Sequence, residues 1–216
     1  MPITCCPAGD SAVLIQFGST IDLETNRRVH ALAGRILAAP LAGIGEPVPG
    51  YAALLVHYDP LLLDYTQAAA WLQELAGQAA VQPLPAPRRM ELPVYYGGEH
   101  GPDLDFVARH TGLAPAEVIR LHAAGEYPVY FLGFTPGFPY LGGLDPRLAC
   151  PRLETPRERV PAGSVGIAGL QTGIYSVDSP GGWRLIGWTP LRLFDPQREA
   201  PALLAPGDVV CFIARS

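Results

Sequence analysis

The chain has 216 residues, a formal net charge of −5 and 15 basic residues, every one of them arginine. That balance excludes the dense cationic face that nucleic acid or an anionic membrane would need. The missing lysine removes Schiff-base chemistry, a lysine general base and the P-loop lysine together, so any carboxylate or phosphate clamp must be arginine or backbone amide.

The first residues, MPITCCPAGDSAVLIQF, carry neither the basic start nor the long apolar core of a secretion signal, and no run approaches the ~18 apolar residues of a membrane span. A soluble, cytoplasmic protein is expected. Cys5, Cys6, Cys150 and Cys211 show no C-x-x-C spacing, which points to reduced structural thiols rather than zinc or a disulfide framework. Ala12 to Phe17 is a short apolar strand. Asp22 then stands as N-cap to a helix whose Val29, Leu32, Ile36 and Leu37 recur at helical spacing. Two prolines make Gly43 to Pro49 a loop or bent edge strand, and Tyr51 to Tyr58 is the next strand. Asp64 opens a second helix with Gln67 as capping-box partner, and Ala68, Leu72, Leu75, Ala76 and Ala79 form its buried stripe. The order β-α-β-α, closed by a strand near Glu91 to Tyr95, predicts a small α+β sandwich of the ferredoxin-like sort.

Alternating prolines from Gln82 to Arg89 favour extended backbone and end the helix, which divides the chain into domains 1–84 and 85–216. The second domain opens with two short helices, Asp103 to Thr111 stopped by Gly112 and Pro115 to Ala124 stopped by Gly125. From Tyr127 to Pro190, glycine, proline and aromatic residues recur too often for any long helix. Turns fall at Thr135 to Gly137, Leu141 to Gly143, Pro161 to Gly163 and Ser179 to Gly182, with apolar runs such as Val165 to Leu170 and Trp183 to Trp188 between them. That is the punctuation of a small β-barrel or sandwich, which Ala205 to Ile213 closes as turn and strand.

Standard catalytic motifs are missing from this sequence. Gly163-Ser164-Val165-Gly166 has its first glycine one place too close to the serine for a nucleophile elbow, so Ser164 reads first as a turn or strand serine. His30, His110 and His122 fall on predicted helices as surface or boundary residues. His57 and Asp59 share a strand face with no third ligand nearby in sequence, and no metal site is expected. Arg152, Arg157 and Arg159 sit between prolines, either placed to grip a carboxylate or phosphate or paired with Glu154 and Glu158. Asp178 is a turn former that could also orient a partner's donor. Phe134, Phe138, Tyr140, Tyr175 and Trp183 are barrel core or contact surface, and spacing does not sort them.

The segments LGFTPGFPYLGGLDPRL and PRLETPRERVPAGSVGIAGLQTGIYSVDSPGGWRLIGWTP, with GDSAVLIQFG, VPGYAALLVHYDP, YGGEHGPDLDFVA and APGDVVCF in the same order, resemble the bacterial 5-oxoprolinase B-subunit family, also called allophanate hydrolase subunit 1 or KipI-like proteins. The resemblance implies a small α/β N-terminal domain and a cyclophilin-like barrel. It also implies work inside an assembly with subunits C and A that opens 5-oxo-L-proline to L-glutamate, with ATP and Mg acting at the assembled complex and no cofactor held tightly by this chain alone. KipI-like members imply a rival role as inhibitor of a sensor histidine kinase, and urea amidolyase domains imply a urea or allophanate system. Nothing in the resemblance implies a nucleic-acid or membrane partner. Within it, Arg157, Arg159, the Pro161 to Ser164 turn, Gln171, Thr172 and Tyr175 are the expected lining of a substrate or partner cleft. Phe134, Phe138, Tyr140 and Trp183 are the expected partner surface, and no residue is assigned as catalytic. Ser176 stands where the family pattern has proline and Trp188 where it has arginine, which removes that arginine from any role here.

Overall fold

Thr4–Pro7 (β1) and Ala12–Gln16 (β2) pair antiparallel, with Cys5 opposite Ile15. Residues 3–77 and 87–215 are described by the structure, a computed structural model, and fall into two units, Met1–Ala86 and Pro87–Ser216. The expected boundary between residues 84 and 85 and the stripe residue Ala79 lie outside the described residues.

In the first unit the Asp22 carboxylate accepts from Thr25 N at 2.8 Å and so starts the helix Leu23–Ala38 (α1). Ile44–Pro49 (β3) is an irregular edge strand beside Ala53–Tyr58 (β4). The helix Tyr65–Gly77 (α2) begins on the predicted capping box: Gln67 N donates to Asp64 at 2.8 Å and Asp64 N donates to Gln67 Oε1 at 2.9 Å. Val29, Leu32 and Ile36 of α1 and Ala68, Leu72 and Ala76 of α2 are buried with Val13, Ile15, Leu54 and Val56 of the sheet. Leu37 departs from the predicted stripe. It is 60% exposed, because it lies one position round the helix from Ile36 and past the apolar face.

The sheet order is β1-β2-β4-β3, so the edge next to β2 is filled by the chain's own first strand. This corrects the expectation that the stretch near Glu91 to Tyr95 closes that sheet. Arg89–Tyr96 (β5) belongs to the second unit, where Leu92 and Val94 are fully buried in the other core.

The second unit continues with Leu104–Thr111 (α3), which ends on Gly112 in the left-handed conformation at φ 71°, and Pro115–Ala124 (α4). Then come Glu126–Leu132 (β6), Pro139–Leu141 (β7) and a 3₁₀ turn at Pro146–Leu148. Arg157–Val160 (β8), Ser164–Ala168 (β9), Gln171–Ile174 (β10), Ser179–Gly181 (β11), Arg184–Trp188 (β12) and Val209–Arg215 (β13) complete it. The strands close a barrel in the order β10-β7-β6-β13-β5-β12-β9, while β8 and β11 form a separate ribbon. β13 runs parallel to β5 from the Val209–Arg89 pair to the Arg215–Tyr95 pair. Val165 and Ile167 of β9 and Ile174 of β10 join Tyr127, Val129, Ile186 and Phe212 in the interior.

On β9 and β10 the positions facing the other way are Gly166 and Gly173, and there Phe138, Tyr175 and Trp183 form a second buried cluster. A Cβ on Gly173 would lie 3.0 Å from both the Phe138 and the Trp183 rings, so glycine is what lets these rings lie on the sheet.

Candidate functional site: two clefts on the barrel unit

The first cleft, of about 460 Å³, is bounded by Arg157 and Arg159 of β8, Pro161, Ser164, Trp188 and His100. The turn Pro161 to Ser164 that floors it is tightly fixed. Gly163 adopts φ 87°, its N–H donates to Tyr175 O at 2.7 Å, and Tyr175 N donates back to Ser164 O at 2.9 Å. A Cβ at Gly163 would collide with the Thr189 carbonyl oxygen, so the turn requires glycine twice over. Trp188 Nε1 donates to Ala162 O at 2.8 Å, and the indole stacks on His100 with centroids 5.2 Å apart. The residue that departs from the family pattern therefore builds a wall of the cleft.

Both arginines of this cleft are already engaged. Arg157 Nη2 lies 2.9 Å from the buried Asp103 carboxylate, whose Oδ2 also accepts from Leu185 N at 2.7 Å. Arg159 reaches Asp178 through Nε at 2.9 Å and Nη2 at 2.6 Å. The other Asp178 oxygen takes the Ala162 N–H at 2.8 Å, and that backbone bond, followed by Arg159, holds the Asp178 carboxyl below the ordinary carboxylate range. The pairing with Glu154 and Glu158 considered from the sequence is replaced by partners from other strands and loops. Glu158 alternates with both arginines along β8 and so faces the opposite side.

The second cleft, of about 310 Å³, gathers Phe134, Phe138, Tyr140, Tyr175 and Trp183 with Arg152. Phe138, Tyr175 and Trp183 are its buried base, and Phe138 meets Tyr175 and Trp183 edge to face. Burial raises the Tyr175 hydroxyl pKa, against a Trp183 backbone hydrogen bond and the charges of Arg152 and Arg157, which pull it down. Phe134 differs from the other rings: it is 62% exposed and takes a left-handed φ of 65°. A bulky residue there is strained. The loop that holds it is tied by Ser176, whose hydroxyl donates to Pro136 O at 2.7 Å, a bond that the proline of the family pattern could not make.

The expected cleft residues therefore divide. Arg157, Arg159, Pro161 and Ser164 come together, Tyr175 joins the aromatic cleft, and Gln171 and Thr172 line neither. Thr172 is fully buried in the barrel, where its hydroxyl donates to Gly166 O at 3.0 Å and meets His122 Nε2 at 2.9 Å. His122, expected at a surface or boundary, is fully buried. Its Nδ1 lies 2.7 Å from the Tyr96 hydroxyl, its ring stacks on Phe212, and burial drives its pKa down to about 3. Sequence reading missed His100 in the wall of the first cleft and Asp103 behind its Arg157. The signal was present in Gly97-Gly98, whose left-handed φ values of 73° and 53° turn the chain just ahead of both.

Residues 3–204 match the family described as carboxyltransferase domain, subdomain C and D. The chain is 46% identical to the 5-oxoprolinase B subunit of Bacillus subtilis, over 95% of this chain and 90% of that protein. It is 45% identical to the 5-oxoprolinase B subunit of Escherichia coli, over 97% and 94%. A solved structure of a conserved uncharacterized protein from Pyrococcus horikoshii is 50% identical with a TM-score of 0.58, covering 99% of this chain and 98% of that one. The crystal structure of TTHA0988 is 43% identical with a TM-score of 0.82 over 95% of this chain, which spans only 39% of that longer chain.

Proposed function

The chain belongs to the 5-oxoprolinase B-subunit family, and on that premise we propose that it is one component of a cytoplasmic, multi-subunit, ATP-dependent 5-oxoprolinase that opens 5-oxo-L-proline to L-glutamate. The observation that carries this reading is identity of 42% or more, over nearly the full length of both partners, to proteins of that name. Relatives named urea carboxylase and urea amidolyase fall to 25–29% identity and are matched over only 13–17% of their length, which favours the cyclic amide over urea as substrate. The accompanying fold reading takes the barrel as cyclophilin-like and the first unit as ferredoxin-like, with its fourth strand supplied by β1.

A lactam carbonyl is a poor electrophile. In this reading ATP activates its oxygen, water supplies hydroxide to the carbonyl carbon and a proton to the ring nitrogen, and the C–N bond breaks. The site is shared with subunits C and A. ATP and Mg are assigned to the assembled complex, because Arg157 and Arg159 are taken by Asp103 and Asp178 and fit a triphosphate clamp poorly. The arginine cleft, with its fixed Pro161 to Ser164 turn, is the face offered to the partner or to the reacting amide.

The test is ATP hydrolysis by this chain co-expressed with its cognate subunits A and C, with and without 5-oxo-L-proline, against each component alone. Stimulation only by the full set is the expected result. An assembled complex that 5-oxo-L-proline does not stimulate would refute the reading.

A further inference from the structure

The arginines of the glycine-rich region differ in one respect that bears on ligand chemistry. Arg157 and Arg159 are neutralised by Asp103 and Asp178, whereas among the described residues Arg152 makes no salt bridge and no hydrogen bond. Arg152 stands exposed at the aromatic cleft, near enough to Tyr175 for its charge to act on that hydroxyl. In a chain of net charge −5, a free guanidinium over a concave apolar surface is a local reversal of the field.

The cleft is also shaped for something small. At about 310 Å³ it lies at the lower end of ligand pockets. Gly181 keeps one wall low, since a Cβ there would overlap the Tyr175 hydroxyl. Phe134 sits at the cleft in its left-handed conformation, and strain of that kind collects at ligand clamps. A phosphate would call for more donors than one guanidinium, while a single carboxylate matches its bidentate fork.

We infer that the aromatic cleft binds a small cyclic monocarboxylate, with Arg152 gripping the carboxylate and the apolar ring lying against Phe138, Tyr140 and Trp183. Resting on the 5-oxoprolinase reading, this assigns the carboxylate end of 5-oxo-L-proline to Arg152 and leaves the arginine cleft for the partner protein.

The experiment titrates the full chain, by ligand-observed NMR and tryptophan fluorescence, with 5-oxo-L-proline, cyclopentanecarboxylate and the uncharged ring 2-pyrrolidinone. Both acids should bind, and Arg152→Ala should weaken them about tenfold or more, the range of a charge-assisted hydrogen bond. Binding of 2-pyrrolidinone should be weak and unchanged by that variant. Arg109→Ala, at an exposed arginine of α3 outside both clefts, should change nothing. Equal acid binding by wild type and Arg152→Ala, or no acid binding at all, overturns the proposal. In the assembled complex the two readings separate. An unchanged KM for 5-oxo-L-proline in Arg152→Ala refutes this cleft while the enzyme reading survives. Arg152-dependent acid binding in a complex that 5-oxo-L-proline does not stimulate keeps the cleft as a carboxylate site and refutes the enzyme reading.

Discussion

Replacing Arg157 with alanine should destabilise the barrel, whereas the same change at Arg159 should not. The Asp103 side chain is 10% exposed and that of Arg157 28% exposed, so the variant strands a carboxylate that water barely reaches. Removing one partner of a buried pair costs about 3–5 kcal/mol. Two features reduce that here: Leu185 N–H still donates to Asp103 at 2.7 Å, and Arg184 waits 4.0 Å away. A loss of about 2 kcal/mol remains, which for a chain of this size lowers Tm by roughly 4–8 °C. The Arg159–Asp178 pair is 78% and 46% exposed and solvent screens it, so Arg159→Ala should melt with the wild type. Thermal and urea unfolding followed by circular dichroism measure both. Asp103→Asn combined with Arg157→Gln should recover part of the loss, because neither charge is then left alone. If Arg157→Ala melts with the wild type, or Arg159→Ala loses as much, the structural role given to the Arg157–Asp103 pair is refuted.

Burial depresses the folded pKa of His122 from 6.5 to about 3, so between those values the unfolded chain binds a proton that the folded chain refuses. Stability should therefore fall as pH drops through that window, by up to about 1.4 kcal/mol per pH unit. Urea midpoints at pH 7 and pH 5 should separate in the wild type and converge in His122→Gln. Burial likewise pushes the Cys150 thiol up to about 11, so a maleimide at pH 8 should label it only after unfolding; rapid native labelling would contradict its packing. Phe134→Gly should change stability by less than about 1 kcal/mol, since relief of the left-handed strain offsets the loss of a ring that is 62% exposed. Phe138→Ala, at a ring 2% exposed, should cost about 3–5 kcal/mol in the same denaturant series.

Features governed by a few neighbouring residues could be read from the sequence. The Asp22 cap, the Asp64–Gln67 capping box, the Gly112 stop and the glycine turn at Pro161 to Gly163 all form where local spacing puts them. Each is a hydrogen bond or a backbone angle satisfied within one or two turns of chain. The residues of both clefts were within reach for the same reason, since proline and glycine punctuation marks where backbone turns toward a surface.

Tertiary structure decided what those residues do. β5 looks like any alternating strand, and only its parallel pairing with β13 places it in the barrel rather than in the first sheet. Arg157 finds Asp103 54 positions away and His122 finds Thr172 50 positions away, while the nearer Glu158 alternates to the opposite side of β8. Whether an arginine is spent on a fold contact, as Arg157 is, or left open to a ligand, as Arg152 is, depends on which carboxylate the topology brings within reach. Coulomb attraction and hydrogen bonding fall off over a few ångströms of space and take no account of separation along the chain.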